Sequence, residues 1–84
     1  MTSVPEAGVS RVVAESWCGV LHFDSLPPDA NFFLLGGDSL TAVMIAAEVG
    51  DRLGVEIGLT DLVDAPTFEG FVERVVDVIQ AGRA

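Results

Sequence analysis

Apolar residues recur at helical spacing in three long stretches of the chain, and proline or glycine interrupts the pattern between them. Val9, Val12, Val13, Trp17, Val20 and Leu21 fall on one stripe of an amphipathic helix, which marks Trp17 as core. Ser3-Val4-Pro5-Glu6 ahead of it reads as a capping box with proline near the first helical position. His22 lies just past the stripe, at a helix end or on the surface. A long connection follows, from about Phe23 to Gly37, in which Pro27 and Pro28 cannot continue a helix. Phe32, Phe33 and Leu35 are placed to anchor the end of this loop to the core, which would hold the next residues still.

Gly36-Gly37 permits a tight turn, and Asp38 is a good N-cap. A second helix is expected from about Ser39 to Leu53, with Gly54 as its stop. This helix carries two apolar stripes. Val43, Ala46, Val49 and Leu53 suit the core, whereas Leu40, Met44 and Ala47 lie on a different face. A helix apolar on two faces is either buried nearly all round or docks a partner. Full burial is hard to arrange in 84 residues, so the second stripe is expected to form an exposed patch beside Ser39. The flexible thioether of Met44 suits such a patch.

Residues 55–65 read as a loop with one helical turn, from Thr60 to about Val63, capped by Thr60. Pro66 then precedes a last helix with Thr67 as N-cap and Phe68, Phe71, Val72, Val75 and Ile79 at helical spacing until Gly82. Val55-Glu56-Ile57 is too short to count as a strand, and no internal repeat or linker is visible. The pattern predicts one all-α domain over residues 1–84, a four-helix bundle of three long helices and a short third one, with a long first loop.

Charge narrows the function. Thirteen Asp and Glu stand against four Arg and no Lys, a formal net charge of -9. Without a basic patch to displace counterions, nucleic-acid binding is not expected. The acidity serves solubility or steers the chain toward basic partner surfaces. Cys18 is the single cysteine, so no internal disulfide can form; it reads as a reduced structural thiol, and no metal site has ligand spacing. The first six residues lack the pattern of a signal peptide, and no apolar run is long enough to span a membrane. The expectation is a monomeric cytoplasmic protein, too small for a deep active site.

Ser39, directly after two glycines at a helix start, admits two readings. One is a turn followed by a capped helix. The other is a hydroxyl held exposed at a rigid place, where flanking glycines let another protein close around it. A phosphodiester formed there would lie near free backbone N–H groups and the positive end of the helix dipole, although the charge of Asp38 opposes it.

The stretch Asn31-Phe32-Phe33-Leu34-Leu35-Gly36-Gly37-Asp38-Ser39-Leu40 resembles the attachment motif of peptidyl carrier proteins from nonribosomal peptide synthetases. Leu59-Thr60-Asp61-Leu62-Val63-Asp64-Ala65-Pro66-Thr67-Phe68 resembles the third-helix segment of the same family and the start of its fourth helix. With the helix spacing, the resemblance runs from about Val9 to Ile79. It implies a four-helix bundle in which Ser39, flanked by Gly36, Gly37, Asp38 and Leu40, receives a covalent 4'-phosphopantetheine from coenzyme A. A phosphopantetheinyl transferase would attach it, with magnesium. The thiol of the arm would carry an aminoacyl or peptidyl thioester, and the chemistry would belong to adenylation, condensation or tailoring enzymes acting in trans. By the same resemblance, partners would dock on Leu40, Met44 and Ala47, with Ile57, Leu59 and Leu62 beside them. Leu34 stands where the family often has an acidic or polar residue, and Val63 where it often has phenylalanine.

Two other readings share parts of this pattern. An acyl carrier protein for polyketide or fatty-acid chains has the same fold and serine chemistry, but the paired glycines favour the peptidyl kind. Gly37-Asp38-Ser39-Leu40 also spells the nucleophile motif of a hydrolase family, which would need an α/β fold and an Asp and a His downstream. The one histidine, His22, lies upstream. With Met1 at the start and tails of a few residues, the expectation is a freestanding peptidyl carrier.

Overall fold

The first apolar stripe forms α1 (Glu6–Leu21), which buries Val9, Val13, Ser16 and Trp17. The computed structural model describes residues 6–82, so the capping box read at Ser3, Val4 and Pro5 lies outside the described residues. Helix α1 ends at His22, which takes a left-handed backbone with φ 64°. Three further helices follow, α2 (Ser39–Leu53), α3 (Leu59–Asp64) and α4 (Phe68–Ala81). Among the described residues the secondary structure is helical apart from one isolated antiparallel bridge between Asn31 and Thr67.

Trp17 is the centre of the core. Its ring meets Phe32 edge-on at 5.7 Å and Phe68 at 5.6 Å, and lies tilted 6.2 Å from Phe71. The three contacts join α1, the first loop and α4 through one fully buried side chain. Around them pack Val9, Val13, Ile45, Val49, Leu62 and Val75.

The first loop is long but held. Ala30 O accepts from Phe68 N at 2.8 Å, Phe32 N donates to Pro66 O at 2.7 Å, and Glu69 N donates to Pro28 O at 3.0 Å. These backbone bonds and the Asn31–Thr67 bridge fasten the loop across the start of α4. Phe32 is the anchor, fully buried; Leu35 packs partly against the core, while Phe33, expected to do the same, is exposed.

Helix α2 has the expected bounds but a rotated core face. Ala42, Ile45, Ala46, Val49 and Gly50 are buried, whereas Val43, expected in the core stripe, is 49% exposed. Both α1 and α3 pack on α2, so its buried arc is wider than one stripe and is centred between them. Gly54, with φ 70°, ends the helix by donating its N–H to Gly50 O.

Helix α3 begins one residue earlier than expected, and its cap is Gly58 rather than Thr60. Asp61 reaches back, its Oδ2 accepting from Gly58 N at 2.9 Å, while its Oδ1 accepts from Arg74 Nε at 2.8 Å. One nearly buried carboxylate thus starts α3 and ties it to α4. Helix α4 matches expectation, with Thr67 Oγ1 accepting from Gly70 N and Gly82 as its left-handed cap. A second ion pair, Arg52 to Glu15 at 2.7 Å, links α2 to α1 at the surface.

Candidate functional site

The turn before α2 uses its two glycines for different reasons. Gly36 has φ 95°, a backbone that side chains rarely adopt, and the space a Cβ would take there is open. Gly37 is needed for close approach, because a Cβ on it would strike the ring of Phe32. The turn closes through Gly36 N to Phe33 O at 3.2 Å and Gly37 N to Phe32 O at 3.0 Å. Asn31 Oδ1 caps its other end, accepting from Phe33 N at 2.9 Å and Leu34 N at 3.2 Å. The chain therefore enters α2 from a fixed direction.

Asp38 and Thr41 then cap α2 reciprocally. Asp38 Oδ1 accepts from Thr41 N at 3.0 Å, and Thr41 Oγ1 accepts from Asp38 N at 2.8 Å. The backbone N–H of Thr41, with help from the Thr41 hydroxyl and Leu40 N–H, holds the Asp38 carboxyl below its ordinary 3.8. This changes one expectation: the helix-end donor at Thr41 already serves the Asp38 carboxylate, so it is not free for a phosphodiester.

Ser39 is the first residue of α2. It is exposed, and its hydroxyl makes no hydrogen bond among the described residues. An unengaged hydroxyl beside the open space at Gly36 fits a group attached covalently and extending into solvent. Among the described residues no strand precedes the turn, and His22, just past α1, makes no hydrogen bond with Ser39.

The neighbouring face is apolar and exposed. Leu40 is 69% exposed, and Val43, Met44 and Ala47 continue it along α2, with Leu59 and Val63 on α3. Of the residues expected as partner contacts, Leu40, Met44, Ala47 and Leu59 are placed on the surface. Ile57 is half-buried against the core. Leu62 is corrected: it is 0% exposed and belongs to the core, because α3 presents it to the other helices while Val63 turns outward. Val43 and Phe33, both expected in the core, are exposed, as are Val63 and Leu34.

The bundle presents an exposed, unengaged hydroxyl at the entry to its second helix, beside an apolar face, an arrangement that suits a carrier. The comparisons agree. A family model described as phosphopantetheine attachment site matches residues 11–75, and the chain belongs to this family of carriers, which hold intermediates on a covalent 4'-phosphopantetheine. The chain is 38% identical over 73 residues to malpibaldin synthetase of Mortierella alpina, covering 87% of this chain and 1% of the synthetase. It is 38% identical over 71 residues to surfactin synthase subunit 1 of Bacillus subtilis (strain 168), covering 84% of this chain and 2% of that subunit. The chain thus spans a small fraction of the length of these relatives. The structure resembles BlmI, a type-II acyl carrier protein from Streptomyces verticillus involved in bleomycin biosynthesis, with TM-score 0.78 and 28% identity over 83% of this chain and 84% of that one. A nonribosomal PCP domain shares the fold at TM-score 0.69 and 24% identity, covering 86% of this chain and 90% of that one.

Proposed function

We propose that the chain is a single peptidyl carrier domain whose Ser39 Oγ is the attachment point for 4'-phosphopantetheine. The observation that carries this reading is the unengaged, exposed Ser39 hydroxyl at the first position of α2, reached through Gly36 and Gly37 within the matched residues. Ser39 Oγ becomes the bridging oxygen of a phosphodiester with the phosphopantetheine half of coenzyme A, its proton leaves to the transferase, and adenosine 3',5'-bisphosphate is released. Once attached, the group supplies a terminal thiol that carries an acyl unit as a thioester. Gly36 leaves open space beside the turn, Gly37 seats the turn against Phe32, and Asp38 and Thr41 keep the first turn of α2 intact while a second protein closes over it.

The chain is the carrier and not the catalyst. Adenylation, condensation or tailoring enzymes act on it in trans, docking on Leu40, Val43, Met44 and Ala47 with Leu59 and Val63. Likeness to nonribosomal peptide synthetases across most of this chain supports aminoacyl or peptidyl cargo. Likeness to BlmI supports action in trans, and its description as an acyl carrier keeps a second reading, in which the cargo is a polyketide or fatty acyl chain. A cytoplasmic location belongs to the same reading; among the described residues no helix is long and apolar enough to cross a membrane.

The test is intact-mass measurement after incubation with coenzyme A, magnesium and a broad-specificity transferase. A gain of one phosphopantetheine unit, absent in Ser39→Ala, is expected. An unchanged mass, or a gain that persists in the variant, overturns the proposal. Loading by an amino-acid adenylating enzyme, compared with a malonyl transferase, separates the two kinds of cargo.

A further inference from the structure

Leu34 is the most exposed large apolar side chain among the described residues, at 86%, yet its backbone is among the most restrained in the loop. Its N–H is held by Asn31 Oδ1. On either side of it, Leu35 N donates to Asn31 O and Gly36 N to Phe33 O. The turn is seated on the core by Phe32, against which Phe33 packs edge-on at 5.3 Å. A leucine displayed in water on a fixed backbone gains nothing for the fold. Together with Phe33, which is 46% exposed, it makes a second apolar point apart from the face of α2.

Position decides what this point touches. Ser39 follows Leu34 by five positions, a reach of at most about 18 Å even fully extended, and the turn folds that span shorter. Enzymes that act on the thiol of the arm work at a distance from the bundle and are free to dock elsewhere on it. The transferase has no such freedom, since it must bring its reacting centre to the Ser39 hydroxyl itself. We infer that Leu34 is a docking contact for the phosphopantetheinyl transferase and sets how tightly this carrier is recognised for modification. The inference rests on Ser39 being the attachment point.

Charge is compatible with the same occupant. Asp38 lies between the turn and α2, and Glu48 and Asp51 continue along α2. The one arginine on α2, Arg52, is engaged with Glu15 and Glu48. An enzyme that binds coenzyme A must hold several phosphate charges and therefore carries cationic groups around its active site. Those groups face an acidic carrier, while Leu34 enters an apolar hollow at the rim. Burial of a leucine that is otherwise in water corresponds to about tenfold or more in affinity.

The experiment is steady-state kinetics of phosphopantetheine transfer from coenzyme A by a broad-specificity transferase, with the carrier as varied substrate. Leu34→Asn is expected to raise KM about tenfold with kcat unchanged, because Leu34 does not touch the reacting atoms. Leu34→Met, which keeps the apolar bulk, is expected to restore KM. Asp77→Asn, an exposed change on α4, serves as control and is expected to match wild type. A KM for Leu34→Asn within twofold of wild type, with unchanged circular dichroism, overturns the inference. So does a wild-type dimer in sedimentation that Leu34→Asn dissolves, since the leucine would then serve self-association. If the wild-type chain is not modified at all, the attachment reading fails instead, and the two failures are distinct.

Discussion

The ring of Phe32 occupies the space in which a side chain at Gly37 would begin, so the plug of the first loop and the entry to α2 are built against each other. Phe32 is fully buried and edge-on to Trp17, which leaves the ring little room to retreat. Gly37→Ala is expected to cost about 1–3 kcal/mol as overpacking, and pairing it with Phe32→Leu to return part of that loss. Urea unfolding of the two single variants and the double variant measures the coupling. Additive losses would show that the ring and residue 37 do not meet.

Asp38 titrates below its ordinary 3.8 because the Thr41 N–H and hydroxyl favour the charged form. The sign follows from a depressed folded-state pKa. The stabilisation is present above the ordinary value and is lost as pH falls through the lower folded one. NMR titration of the Asp38 carboxyl is expected to give a midpoint below 3.8, moved upward in Thr41→Val. A midpoint unmoved in Thr41→Val removes the Thr41 hydroxyl as a cause and leaves the backbone N–H alone.

Cys18 lies partly buried on α1, and burial, then the charge of Asp24, push its thiol above 9.0. At neutral pH it is overwhelmingly the unreactive thiol. Alkylation of the holo protein with iodoacetamide at pH 7 is therefore expected to label the arm first and Cys18 slowly, read by mass spectrometry of proteolytic fragments. Labelling of Cys18 as fast as a free cysteine contradicts this assignment.

Asp61 holds Gly58 N and Arg74 Nε at once. Asp61→Ala removes both bonds and is expected to cost about 2–3 kcal/mol, moderated because Arg74 is partly exposed. Amide hydrogen exchange should show α3 losing protection before α1 and α4 do. Equal loss in every helix would mean that the pair does not act locally on α3.

Met44 and Leu62 make a matched pair of tests for the surface. Met44→Glu is expected to leave stability within about 0.5 kcal/mol while slowing loading by partner enzymes. Leu62→Ala, in the core, is expected to cost about 2–5 kcal/mol. Unfolding of Met44→Glu would place Met44 in the core instead.

What the sequence disclosed depended on where the deciding interaction was local. Asp38, Gly54, Thr67 and Gly82 are caps, and capping is settled within four residues, so α2 and α4 were legible almost to the residue. The cap of α3 was not, because Asp61 works backward onto Gly58 and resembles an ordinary acidic first-turn residue until Arg74 is brought to it. Val43 was misplaced and Ile45 missed because periodicity gives a stripe but not which neighbours cover it. Leu62 was misplaced because the resemblance assigns the short helix to partners as a whole, and six residues are too few for a period to separate its faces. At the site, Ser39 and its glycines were legible as a motif. The separate duties of Gly36 and Gly37 needed the Phe32 ring, which only the tertiary fold sets there.

The bonds that fasten the first loop across the start of α4 have a mechanical consequence. The seventeen residues between α1 and α2 form a bracket rather than a slack tether, so the bundle adds almost nothing to the volume the cargo explores. That volume is drawn by the arm alone, pivoting from one fixed mount. The local concentration of cargo at a docked enzyme then depends on arm length and docking angle, and a mutation that loosens the bracket would dilute the cargo without touching the thioester.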